Sequence, residues 1–375
     1  MSQQFLMNFD PELVSIANFQ WYYKQEFNWE DFLFSKNKRI VYFGKKKDDP
    51  DFKVIVKKIK INNNYEHILK EIYFLVCCKK NSKFTQIVDM FLSDDKKYVF
   101  IILKYEGVSL KDLMNYKDFK YWEIKGFIKH VLFQIISGLN ILHRTNLIHN
   151  DIKPSNILIT GTGQTKICDL GSVDKPSNTR LSTIYYSSPD ALLKKTTDQK
   201  DDMWSIGVIM LELYKNFEKY FDFNSTNFNS LEQNQIEVQQ LKAVLLKYKI
   251  TINNNQIIDI ENNDDFNRIK KIIQNGDYDK NNFNSQLNLD SIKGIDDPGA
   301  IELLNKLLEI NPTKRFSAQQ ALNSNYFVGL VENENDIDYN EKDYNPLLNN
   351  VNDPYTFLNN IKLIKQKFLG QVLFE

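Results

Sequence analysis

The run His149-Asn150-Asp151-Ile152-Lys153-Pro154-Ser155-Asn156-Ile157-Leu158 constrains this chain more than any other feature, together with Cys168-Asp169-Leu170-Gly171, whose Asp169 lies twelve residues beyond Ile157. A carboxylate (Asp151), a cation (Lys153), an amide (Asn156) and a second carboxylate (Asp169) fall within one short stretch between apolar, strand-like runs. A single Asp in a loop is ordinarily just solvated. Four such side chains at this spacing ask for a common task. Phosphoryl transfer needs little covalent help. It needs a carboxylate to orient a hydroxyl and accept its proton, a cation near the phosphate, and oxygen ligands for Mg²⁺. The stretch supplies those groups in that order.

The surrounding chain changes texture once. From about residue 31 to 105 it reads as short strands around one helix. Phe52 to Ile59 and Tyr98 to Leu103 are rich in Val, Ile and Phe, and Tyr65 to Cys78 has helical spacing of apolar residues. After Gly107 helices dominate. Tyr121 to His143, Met203 to Tyr214, Leu231 to Lys247, Ala300 to Glu309 and Ser317 to Asn323 are the helix candidates. Residues 252–290 are rich in Asn and Asp and read as a loop-rich insertion. At 375 residues the chain is long enough for one large two-lobed domain.

These motifs resemble the protein kinase superfamily, Ser/Thr type, whose catalytic loop reads HRDxKxxN and whose metal motif reads DFG. The resemblance spans about residues 31–327. It implies an α+β bilobal fold, with a small antiparallel-sheet N-lobe holding one helix (31–106) and a larger, mainly helical C-lobe (107–327). An N-terminal extension (1–30) and a C-terminal extension (328–375) flank it. ATP and Mg²⁺ are the implied cofactors, and a protein is the implied substrate. Asp151 would be the base and Lys153 the phosphate cation. Asn156 and Asp169 would bind the metal, and Thr183 would hydrogen-bond near Asp151 and Lys153. Val54-Ile55-Val56-Lys57 resembles the VAIK strand, so Lys57 would hold the α- and β-phosphates, with Lys58 and Lys60 as competitors. Its acidic partner would be Glu71, or else Glu66. Leu103 would be the gatekeeper, backbone groups of Lys104 and Glu106 would receive adenine, and Val41 and Leu158 would line the nucleotide. Asp190, in the APE position, would pair with Arg315, and Asp202 would brace the catalytic loop. The stretch from Leu231 and the ending Pro312 to Phe327 resemble the cyclin-dependent and MAP kinase group.

The chain also departs from the pattern. With Val41 in the valine position of GxGxxGxV, the glycine positions fall on Phe34, Lys36 and Arg39. Glycines there let the backbone approach phosphates. Lys36, Lys38 and Arg39 would have to attract them with side chains instead. Asn150 replaces the Arg that pairs with an activation-segment phosphate, which implies regulation without one. Candidate phosphorylation sites on the segment are Ser177, Thr179, Ser182 and Thr183. Three readings compete. The first is an active Ser/Thr protein kinase. The second is a pseudokinase or weakly active scaffold in a larger assembly, suggested by the glycine-free loop. The third is an enzyme acting on a small molecule, against which Lys153 and Thr183 argue.

Composition narrows the partners. Lys plus Arg and Asp plus Glu both number 48, so net charge offers no attraction to nucleic acid or an anionic membrane. No apolar run approaches the ~20 residues of a membrane span. Cys77, Cys78 and Cys168 form neither a disulfide framework nor a zinc pattern. Met1 to Asp10 lacks a signal-peptide pattern. A cytoplasmic setting is expected, with a cytoskeletal or nuclear one left open. The aromatic run Phe19 to Trp29 and the apolar run Phe357 to Phe374 are expected to dock on the kinase body or on a protein partner.

Overall fold

The strand-like runs pair as antiparallel neighbours. The computed structural model describes residues 19–22, 40–46, 51–61, 65–93, 95–115, 126–177, 183–194, 196–215, 220–221, 232–253, 255–289, 295–330 and 360. These divide into two compact units. One holds the described residues up to Val108, those from Leu158 to Gly171, and Asn360; the other holds the described residues from Ser109 to Ile157 and from Ser172 to Leu330.

In the first unit, β1 (Phe19–Tyr22), β2 (Ile40–Lys46), β3 (Lys53–Lys60), β4 (Ile87–Leu92) and β5 (Tyr98–Lys104) form one sheet in the order β1-β2-β3-β5-β4. Pairing is antiparallel throughout, with Val41 opposite Lys57 and Val56 opposite Ile102. Successive side chains of a strand point to opposite faces. Val54, Val56, Phe100 and Ile102 thus cluster on one face, with Phe91 stacked on Phe100 at 4.7 Å. Ile55 and Lys57 take the other. Helix α1 (Tyr65–Cys77) follows β3 and buries Ile68, Leu69, Ile72, Tyr73, Leu75 and Val76. Strands β6 (Ile157–Ile159) and β7 (Thr165–Ile167) close a hairpin through Thr160 and Gln164. This hairpin is stitched to the chain before β4: Thr85 N donates to Ile167 O (3.0 Å), and Ile167 N to Lys83 O (2.7 Å).

The second unit is built on helices. These are α2 (Leu110–Asn115), α3 (Phe127–Arg144), α4 (Pro189–Lys194), α5 (Gln199–Tyr214), α6 (Gln233–Leu245), α7 (Asn263–Asn275), α8 (Pro298–Leu307) and α9 (Ala318–Leu322). The start of α5 is fixed by a capping box, in which Asp198 and Asp201 satisfy each other's backbone N–H groups. From Asp201 to Leu213 every residue of α5 is buried, so this helix is the axis of the unit. It packs against α3 and α8, and α3 packs against α9. Among the described residues no helix is long and apolar enough to cross a membrane.

Two expectations need correction. Residues 252–290 are not a loop-rich insertion. They contain α7 and, with Tyr248–Ile252 (β8), Gln256–Ile257 (β9) and Asn284–Leu287 (β10), a three-stranded sheet. Their Asn and Asp residues work at element ends. Asn262 caps α7 by accepting from Asp264 N and Asp265 N, while Asn253, Asn255 and Asn282 take the positive φ that turns require. Phe266, Ile269, Ile272 and Ile273 give α7 a buried stripe beneath that polar composition. The helix expected from Tyr121 begins at Phe127, after Gly126 at φ 78°, with residues 116–125 outside the described set. Phe34, Lys36, Lys38, Arg39, Thr179, Ser182 and the C-terminal apolar run apart from Asn360 also lie outside it.

Candidate active site

Within the first unit, β3 carries Lys57 to the face that α1 meets. Its Nζ donates to Glu71 Oε1 at 2.6 Å and to Asp169 Oδ1 at 3.2 Å. Glu71 is fully buried, so its carboxylate is held out of water beside this cation. The alternatives named from the sequence behave differently. Glu66 sits on the exposed side of α1 and pairs with Lys70 at 2.9 Å. Lys58 points to the other face, over the Tyr98 ring. Asp169 takes a positive φ of 62°, a conformation Asp tolerates better than most residues. At Gly171 a Cβ would come within 2.5 Å of the His67 ring, so no larger residue fits there without displacing α1's histidine.

Leu103 is buried near the end of β5, opposite Ile55 and Ile87. Beyond it, Lys104 N donates to Gln86 O (2.8 Å), which engages its amide. Val41 and Leu158 are both half-buried, Val41 in β2 beside Lys57 and Leu158 in β6. Gly107 has φ 110°, and a Cβ there would overlap Ile159 O at 2.0 Å, so only glycine lets the chain pass this close to β6.

Within the second unit, the catalytic-loop residues converge on Asp151. Thr183 Oγ1 donates to Asp151 Oδ1 at 2.7 Å, and Lys153 Nζ lies 2.8 Å from Asp151 Oδ2 and 3.1 Å from Thr183 Oγ1. Asn156 Nδ2 donates to Asp151 O (2.8 Å) and Oδ2 (3.2 Å), so its amide oxygen is turned away from these bonds. A Ser/Thr hydroxyl, an ammonium and a carboxylate thus already contact one another. That is the set of groups a hydroxyl nucleophile would meet.

Asp202 holds this loop from beneath, as expected. Its Oδ2 accepts from His149 N (2.8 Å) and its Oδ1 from Asn150 N (3.0 Å). His143 Nε2 adds a third bond to Asp202 Oδ2 at 2.9 Å. Sequence reasoning missed His143, although its place six residues before His149 was a usable signal. Asn150, at φ 67°, donates from Nδ2 to Ser172 O (3.0 Å). Arg315 is wholly buried and pairs with Asp190 at 2.6 Å and with Asp201 at 3.6 Å. Burial works against the Arg315 cation, but the Asp190 and Asp201 carboxylates outweigh it and push its pKa up. Burial, then the neighbouring Asp190 charge, pushes the Asp201 carboxyl well above the usual carboxylate range. Tyr186, hydrogen-bonded to Glu212, is pushed up mainly by burial.

The donors suit a hard cation. Mg²⁺ takes oxygen ligands and is commonly held by one or two carboxylates plus substrate phosphates. Asp169 in the first unit and the amide oxygen of Asn156 in the second are each an oxygen donor of that kind.

A family model described as a protein kinase domain matches residues 40–327. Serine/threonine-protein kinase CLA4 of Candida albicans is 30% identical over 192 residues, 48% of this chain and 19% of that protein. Serine/threonine-protein kinase 4 homolog B of Dictyostelium discoideum is 32% identical over 177 residues, 45% of this chain and 16% of that protein. Mitogen-activated protein kinase HOG1 of Candida albicans is 31% identical over 167 residues, 43% of each chain. The chain spans less than half the length of these relatives.

Proposed function

The chain belongs to the protein kinase family, and we propose that it transfers the γ-phosphate of ATP to serine and threonine hydroxyls of protein substrates. The observation that carries this reading is the three-way contact of Asp151, Lys153 and Thr183. Asp151 Oδ1 already accepts a hydroxyl hydrogen bond, so a substrate hydroxyl offered there would be oriented and would give up its proton to this carboxylate. Lys153 Nζ, beside the same carboxylate, would balance charge on the phosphoryl group in transit. Lys57, fixed by Glu71, would hold the non-transferred phosphates, and the Lys104 carbonyl and Glu106 N–H would receive adenine. Mg²⁺, held by Asp169 and Asn156, would neutralise phosphate charge.

The relatives named as serine/threonine kinases support the choice of acceptor. The test is incubation of the protein with γ-labelled ATP, Mg²⁺ and a mixed protein substrate, followed by phosphoamino-acid analysis. Label on phosphoserine and phosphothreonine supports the proposal. MgATP binding with no label on protein would return the scaffold reading.

A further inference from the structure

Glu106 was expected to contribute only backbone groups, yet its side chain is the more unusual feature. The carboxylate is buried, with 5% of the side chain exposed, and Lys166 opposite it is 9% exposed. Glu106 Oε1 lies 2.9 Å from Lys166 Nζ, and Glu106 Oε2 accepts from Gln86 N at 3.0 Å. Lys166 Nζ also donates to Ser82 O at 2.9 Å. Gln86 is itself anchored, its Nε2 donating to Asn81 O and Phe84 O, both at 2.8 Å. Lys166 lies in β7, three residues before Asp169. The ion pair thus joins the segment after β5 to the strand that delivers Asp169.

Burying two charges gains little stability over an apolar pair of the same size, so stability alone is a weak reason for this arrangement. What a hydrogen-bonded ion pair does supply is geometry: both carboxylate oxygens are committed, which restrains the Glu106 backbone. Gly107 reinforces this by lying directly on Ile159 O. The backbone after β5 is therefore tied to the hairpin that leads into Asp169.

We propose that Glu106 and Lys166 are positioning residues for nucleotide recognition, their buried ion pair fixing the backbone of Lys104 to Glu106 and the strand that leads into Asp169 in one frame. The inference rests on the kinase reading above. It adds that adenine affinity depends on two side chains that do not touch the nucleotide.

The experiment compares wild type, Glu106→Gln, Lys166→Met and the double variant in four measurements: adenosine affinity, ATP KM, kcat and melting temperature. Each single variant leaves a buried partner charge uncompensated. Each is expected to weaken adenosine binding and raise ATP KM about tenfold or more, with a smaller effect on kcat. The double variant should recover part of that loss. Lys166→Met leaves the Lys104–Glu106 sequence intact and gives the same reading should Glu106→Gln fail to fold. A fall in melting temperature with adenosine affinity and ATP KM unchanged would overturn the proposal and leave the pair purely structural. A wild type that binds neither adenosine nor MgATP would overturn the kinase reading and this inference with it. Wild-type binding matched by both single variants would overturn this inference alone.

Discussion

Lys57 Nζ lies 2.6 Å from Glu71 Oε1 across a sequence separation of only 14 residues. The short lead-in to α1 is accommodated because Glu71 sits in the second turn of the helix, on its buried side. The pair holds Lys57 away from competing solvent and beside Asp169. Glu71→Gln keeps the shape and removes the charge. A hydrogen bond to a charged group contributes about 1.5–3 kcal/mol, so kcat/KM for ATP should fall roughly 10–100-fold. Because the two residues act as one unit, Lys57→Ala/Glu71→Gln should be no worse than Lys57→Ala. Steady-state kinetics of the three variants checks this, and additive losses would show independent roles.

Arg315 is the largest buried cation in the second unit, and Asp190 is its closest anion. Arg315→Met leaves Asp190 and Asp201 facing each other without it. The expected cost is about 3–5 kcal/mol of stability, read by denaturant unfolding. Asp190→Asn should cost less, because Asp201 still faces the guanidinium.

Asn150 stands where an arginine would seek a phosphate, and it donates to Ser172 O instead. The segment after Gly171 is therefore tied to the catalytic loop by a neutral hydrogen bond. Phosphatase treatment should leave turnover unchanged, and Asn150→Ala should lower it. Loss of activity on phosphatase treatment would contradict this role.

The legible parts of the site were those with local spacing. Asp151, Lys153 and Asn156 lie within six residues, and their mutual contacts follow from one tight loop. Glu71 was legible because the kinase resemblance places the acidic partner of Lys57 on the next helix, where Glu71 and Glu66 were the candidates. Lys166 and Glu106 were not, since 60 residues separate them (166 − 106) and neither sits in a periodic pattern. Helix α7 was obscured for a different reason. Its stripe of four apolar residues is interleaved with Asn, Asp and Lys, and the composition of the stretch masked its 3.6-residue period. The Asn residues that suggested a loop serve as a cap and as turn residues at positive φ.

The central claim is that Asp151 orients a hydroxyl and accepts its proton. Single-turnover phosphate transfer by Asp151→Asn, with MgATP affinity measured on the same sample, tests it most directly. A positioned base supplies roughly 10²–10⁴-fold, so transfer should fall by that factor while MgATP affinity stays near the wild-type value. Transfer at the wild-type rate in Asp151→Asn would contradict the account.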